Sequence, residues 1–266
     1  LGPGVGAEGD PTAEMLLTLA PEGDYPVIQT AFEVAEMVKY VDNTWHALKV
    51  AFGNEIGRIC DPLDIDSHQV MDIFSQDTKL NISAKYLKPG MAFGGSCLPK
   101  DVRAMTHHAR THDVDLPLLY NLTASNESHL ERALKLILDT GVRDVAILGL
   151  SFKAGTDDLR EAPMVEVAER LIGKGLKLSI YDHNVSLARL TGANARYIHD
   201  HLPHIGELLI DDVDRAIEGA EAVVIGNSNP AFADVVAGLD PEIHVIDLVR
   251  VIEDGTDLPR YQGLGW

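Results

Sequence analysis

The sequence predicts an α/β protein in which a helical domain around one long central helix is followed by a Rossmann-like α/β domain with a parallel sheet. Three observations carry this. Residues 30–60 contain no proline and repeat apolar side chains every three or four positions. From Val142 onward short β-branched runs alternate with helical stretches, the texture of strands covered by crossover helices. A length of 266 residues accommodates two domains, with the boundary expected near Gly141, giving units 1–141 and 142–266.

The first 26 residues hold glycines and prolines around a short helical stretch, 12–19. In the long segment Val34, Met37, Val38, Val41, Trp45, Leu48, Phe52, Ile56 and Ile59 form the apolar stripe. At 1.5 Å per residue such a helix reaches roughly 45 Å. A rod of that length suits a dimerisation spine, with packing inside one subunit as the competing use. A shorter helix fits 68–76, a glycine-rich loop 89–96, and a helix 99–112, with Pro99 suited to its first turn. A second long helix fits 118–139. Strands are expected at 144–150, 177–181, 222–226 and 243–248, and a helix at 163–172.

Composition narrows the function. Forty-one acidic against 22 basic side chains leave a net charge of −19, which argues against nucleic acid, because phosphate binding needs a basic footprint. No apolar run is long enough for a membrane span, and the N-terminus lacks an export pattern. Two cysteines cannot form a disulfide framework, so a reduced, cytoplasmic setting is expected and the sequons at Asn81, Asn121, Asn126 and Asn184 carry no weight. Against the general acidity, Lys79, Lys85, Lys88, Lys100 and Arg103 face a single carboxylate, Asp101, between residues 79 and 103. An anionic small molecule fits there, as does a merely solvated face.

The segment Phe93-Gly94-Gly95-Ser96-Cys97-Leu98-Pro99-Lys100-Asp101 holds the strongest chemical candidate. Its glycines permit close backbone approach, and a helix N-terminus together with Lys100 favours the thiolate form of Cys97. Cys60, among apolar residues, reads as packing. On the long helix Lys39, Asn43, His46 and Asn54 fall nearly in line and offer ammonium, amide and imidazole groups to a substrate's oxygens, or else form a solvated stripe. The loop after the first strand carries Lys153 and Arg160, placed for an anion at a strand's carboxyl end. Gly4-Val5-Gly6-Ala7-Glu8-Gly9 matches the dinucleotide fingerprint but lacks the preceding strand that would make it one. His108 and His112 have the spacing of a helical metal pair, and His199, His201 and His204 cluster, without the accompanying ligands of a zinc site, so no metal is expected.

Three runs, AEMVKYVDNTWHALKV (35–50), FGGSCLPKDVRAM (93–105) and GLSFKAGTDDLREAP (149–163), with the strand HVIDLV (244–249), resemble the nucleotide-sugar 6-dehydrogenase family and are closest to its GDP-mannose branch. The resemblance implies oxidation of a sugar C6 alcohol to a carboxylate with two NAD molecules, for an alginate-type polysaccharide, by a homodimer joined through the long helix. By that resemblance Cys97 attacks the aldehyde to give a thiohemiacetal and then a thioester. Lys39 and Asn43 polarise oxygen at the reacting carbon, and Asp101 assists a water or proton transfer. His46, Asn54, Asn81, Lys85, Tyr86, Lys88, Phe93, Gly94 and Lys153 would contact the sugar nucleotide, and Lys100 and Arg160 the NAD. Two departures stand out: the family branch carries an aromatic residue at Lys85 and arginine at Lys88. The family also begins with a Rossmann domain that this chain, as it stands, starts after, so the expectation is a chain inactive by itself. UDP-glucose or UDP-N-acetylhexosamine oxidation and a non-enzymatic sugar-nucleotide-binding or dimerisation module are the alternatives.

Overall fold

A computed structural model describes residues 28, 30–61, 64–78, 87–111, 113, 117–185, 192–255 and 257–266. The expected helix at 12–19, the glycine pattern at 4–9 and the expected ligand residues Asn81, Lys85 and Tyr86 lie outside them.

Helix α1 (Phe32–Cys60) runs for 29 residues, and α2 (Ser67–Phe74) follows, its first turn capped by Asp66, whose carboxylate accepts from the His68 and Gln69 N–H groups. Helix α3 (Leu98–Thr111) and helix α4 (Pro117–Leu138) complete the helical part. The face that α1 turns inward is made of small residues: Ala47 and Ala51 join Phe93, Val102 and Leu122 in a core shared with α3 and α4. Of the apolar stripe, Val34, Met37, Val38, Val41, Trp45 and Phe52 remain exposed. Leu48 packs against this core, and packing within the subunit leaves those six uncovered.

Strand β1 (Asp144–Leu148) begins the sheet, followed by α5 (Pro163–Gly173), β2 (Lys177–Tyr181), α6 (Gly192–His201), α7 (Ile205–Leu208), α8 (Val213–Ile217), β3 (Ala222–Ile225), α9 (Ala231–Ala237), β4 (His244–Asp247) and β5 (Tyr261–Gly263). The strand order is β2-β1-β3-β4-β5, every pairing parallel. Side chains alternate across β1: Val145 and Ile147 face one core, Ala146 and Leu148 the other. Helices α6 to α9 and strand β5 were not expected; α7, α8 and β5 span four, five and three residues, too short to show a period.

Helix α4 belongs to both halves. Leu122 sits in the helical core, whereas Leu130, Ala133, Leu134 and Ile137 pack into the core beneath the sheet. Arg170 of α5 fastens the same helix by ion pairs to Glu127 and Glu131, and at the other end Arg250 grips Asp66 at 2.6 and 2.8 Å. The chain changes from helix to strand around Gly141, but packing continues across that point. Because α4 spans both cores, the loops that the two halves contribute to the site keep a common frame.

Candidate active site

Cys97 directly precedes α3 and is exposed as a free thiol, with the Ser96 hydroxyl oxygen 4.0 Å from its sulfur. One turn into α3, the side chain of Asp101 is fully buried. The Lys39 ammonium donates to its Oδ2 at 2.7 Å and the Asn43 amide donates to the same oxygen at 2.5 Å. On Oδ1 the nearest cation is Lys100, at 3.5 Å, and no hydrogen bond forms. Burial pushes the Asp101 carboxyl up, but the bonds from Lys39 and Asn43 and the charge of Lys100 outweigh it and hold the group below its ordinary value of 3.8. Its hydrogen bond to Asp101 raises Lys39 above 10.5, and the negative charge available to Cys97 adds to this. Both groups are thus charged near neutrality. The expected oxygen-polarising pair, Lys39 and Asn43, is here assembled around a carboxylate, which aims both donors.

The loop that delivers Cys97 is held by side chains from two helices. Asn54 accepts from the Gly90 N–H at 3.1 Å and lies 3.5 Å from the Met91 carbonyl, His129 meets the Gly90 carbonyl at 2.7 Å, and Asn126 takes both the N–H and the C=O of Phe93 at 2.8 Å each. A net hydrogen bond contributes about 1 kcal/mol, so this grip fixes the loop rather than merely touching it. Two of the expected ligand residues have structural partners as well. Phe93 buries its ring among Ala47, Ala51, Val102 and Leu122 while Asn126 engages its backbone, and Asn54 is buried against the loop. Each supports the site from behind.

The loop between β1 and α5 forms the opposite wall. The Gly95 N–H donates to the Glu161 carbonyl at 2.9 Å, and a Cβ on Gly94 would overlap that same carbonyl and the Pro163 ring. Gly94 is thus required by backbone contact, whether or not it also meets a ligand. Arg160 forks onto Asp158 at 2.8 Å through both Nε and Nη2, which raises the guanidinium's pKa; proximity to Cys97 adds to the shift. Lys153 is exposed on the same loop. The turn leaving β1 spends its donors internally: the Leu150 and Ser151 N–H groups, the Ser151 hydroxyl and the Asn227 amide all point at Asp182 Oδ2, at 2.8 to 3.2 Å. That is where a dinucleotide-binding turn would present its amides to a pyrophosphate, so this sheet offers no such cradle at β1.

Around this centre Lys100 stands 57% exposed, His46 lies 3.7 Å from Asp42 on α1, and Lys88 pairs with Asp72 of α2 at 2.8 Å. The structure therefore brings Cys97, Lys39, Asn43, Asp101, Lys100 and Arg160 together, with Gly94 and Lys153 on the flanking loops. It ties Lys88 to α2. Among the described residues no three His, Cys, Asp or Glu side chains gather as a metal site, and no helix is long and apolar enough to cross a membrane. Sequence reasoning missed Asn126, His129, Asp158, Asp182 and the pair Arg103–Glu161. The one available signal was polar residues interrupting the apolar face of α4.

Known proteins match this chain in two consecutive parts. The model for the UDP-glucose/GDP-mannose dehydrogenase family, central domain, matches residues 33–128, and that family's UDP binding domain matches residues 146–254. A GDP-mannose 6-dehydrogenase of Pseudomonas aeruginosa is 47% identical over 255 residues, covering 96% of this chain and 58% of that protein. The crystal structure of a ternary complex of GDP-mannose dehydrogenase from that organism superposes with a TM-score of 0.65 at 47% identity, over 96% of this chain and 58% of its own. A UDP-glucose dehydrogenase from the archaeon Pyrobaculum islandicum gives a TM-score of 0.79 at 28% identity, over 97% of this chain and 57% of its own. The chain thus spans 58% of the length of the Pseudomonas relative.

Proposed function

Because this chain belongs to the UDP-glucose/GDP-mannose dehydrogenase family, we propose that it forms the cysteine-bearing and sugar-nucleotide-binding parts of an NAD-dependent GDP-mannose 6-dehydrogenase. The observation that carries this reading is an exposed thiol at the start of α3, beside a buried carboxylate that aims an ammonium and an amide. On this reading residues 1–141 supply the dimer spine and the nucleophile, and residues 142–266 the sugar-nucleotide wall.

In the reaction Cys97 adds to the C6 aldehyde, and the oxygen that gains negative charge is met by Lys39, which is charged, half-exposed and has N–H donors left beyond the one given to Asp101. Asn43 orients that ammonium through their shared acceptor. Once the thioester forms, Asp101 Oδ1 is the acceptor left over for the hydrolytic water's proton, being held ionised at neutral pH. Lys100, exposed, and Arg160, half-buried and paired with Asp158, fit an edge contact with the phosphates of NAD; two NAD molecules bound in turn would each take up one hydride. Lys153 and His46 fit the sugar nucleotide's oxygens. Lys88 would have to leave Asp72 to reach a diphosphate, and as a lysine it would bind as a point charge rather than a fork.

GDP-mannose is favoured over UDP-glucose by the 47% identity to the Pseudomonas dehydrogenase. Isothermal titration of the chain with the two sugar nucleotides tests this: GDP-mannose is expected to bind at least about tenfold tighter, a difference of about 1.4 kcal/mol. Equal or reversed affinities would replace it with the UDP-sugar reading. Both cysteines are free thiols, in keeping with a reducing cytoplasm.

The exposed stripe on α1 supports a homodimer. Glu33, Val34, Met37, Val38 and Val41 line a groove of about 330 Å³ whose walls are almost wholly apolar. Burying a valine of this kind contributes about 1.5 kcal/mol or more. The doubly substituted chain Val38→Glu, Val41→Glu should therefore sediment as a monomer at concentrations where the parent chain is dimeric, and a dimer in both would remove the spine.

A further inference from the structure

Two loops meet at Cys97, and one residue, Glu161, joins them by two separate means. Glu161 has φ of 50°, a left-handed conformation unfavourable for a residue with a side chain. In that conformation its carbonyl takes the Gly95 N–H at 2.9 Å, two residues before Cys97. Its carboxylate meanwhile receives both arms of Arg103 at 2.7 Å each, from α3 just past Asp101. Asp158, on the same loop, is held below its ordinary value mainly by Arg160, which forks onto it at 2.8 Å. Strain of this kind persists only where the surroundings enforce it, and here it is enforced from both sides of the thiol.

We propose that Glu161 and Arg103 are positioning residues that register the loop carrying Lys153 and Arg160 against Cys97. Neither acts on the substrate. Asp101 fixes α3 to α1, whereas the Arg103–Glu161 fork fixes α3 to the β1–α5 loop, so the thiol is located between cations delivered by two different parts of the chain. Loosening the fork leaves Cys97 on its helix but lets Arg160 drift from it. This rests on the reading of Cys97 as the nucleophile.

The test is the rate at which iodoacetamide, a neutral reagent, alkylates Cys97 in the 266-residue chain, read by peptide mass; Cys60 is buried and serves as the internal reference. Arg103→Gln and Glu161→Gln are each expected to slow the reaction about threefold or more, because a cation that drifts from the sulfur no longer favours the thiolate, the form that is alkylated. A purely electrostatic influence would move them in opposite directions, since one variant removes a positive and the other a negative charge. Arg103→Lys, which keeps the charge but loses the fork, should fall between, and the swap Arg103→Glu, Glu161→Arg should recover most of the parent rate. Arg103 is 56% exposed, so its variants are expected to stay folded, checked by circular dichroism and thermal melting. Opposite changes, or melting shifts with no change in alkylation, overturn the proposal. A parent chain whose Cys97 reacts no faster than free cysteine counts instead against the nucleophile reading.

Discussion

Cys97→Ala in a full-length enzyme carrying this sequence is expected to reduce conversion of the sugar nucleotide to its acid by on the order of 10³-fold or more, the scale at which removal of a nucleophile is usually felt. Oxidation of the alcohol to the aldehyde does not need the thiol, so the variant should stop near one NADH per sugar where the parent yields two. The fold should survive, since Cys97 is exposed and packs against nothing that its loss would leave empty. NADH yield per mole of substrate, measured together with product charge on an anion-exchange column, decides the matter. A variant that still produced two equivalents and a full yield of acid would make the thiol incidental and leave the chain as a sugar-nucleotide-binding module.

Asp101→Ala should have the second largest effect, and on stability as well as activity. The side chain is fully buried, and its removal leaves the Asn43 amide without its acceptor and the Lys39 ammonium without its counterion. Breaking a buried pair costs several kcal/mol when the surviving charge is trapped. Lys39 is 50% exposed and can turn to water, so about 2 kcal/mol is the reasonable expectation here. Asp101→Asn separates shape from charge. The folded carboxyl lies below its ordinary 3.8, so its contribution to stability is complete above that value and is lost as pH falls through the lower folded value. Lys39 lies above 10.5 when folded, so its contribution is complete below that value and is lost as pH rises through the higher folded value. Urea unfolding at a series of pH values should show a parent-minus-variant difference that is flat from about pH 5 to about pH 9 and shrinks on either side. A difference that grew towards acid would mean that the carboxyl is not held ionised.

These two residues also show how unevenly the site can be read from its amino acids. That Cys97 begins a helix followed Pro99 and the glycines before it, because helix starts are governed by neighbours. Lys39 and Asn43 share a face because they lie four residues apart on α1, a relation set by the helical period itself. That their common partner is Asp101, 62 and 58 residues away, is not written in any local pattern. Phe93 and Asn54 illustrate the same point: the resemblance implies a ligand contact for each, and no local pattern shows the packing they also have, Phe93 in the core of α1, α3 and α4 and Asn54 on the loop backbone at Gly90. The apolar stripe of α1 was visible at once, but which of its surfaces is covered within the subunit depended on small residues, Ala47 and Ala51, that contribute little to any periodicity.

By itself the sequence determined the long helix, the strand 177–181 and its parallel neighbours, the family, and the place of Cys97 just before a helix, since each depends on residues within a few positions of one another. Only the tertiary structure decided that a buried carboxylate organises Lys39 and Asn43, that Asp182 fills the turn after β1, and that Arg103 and Glu161 close two loops around the thiol. The physical reason is separation. Hydrogen bonds between residues 31 to 62 positions apart exist only after helices and sheet have docked, and it is the shared cores of α1, α3, α4 and β1 that decide which polar groups meet.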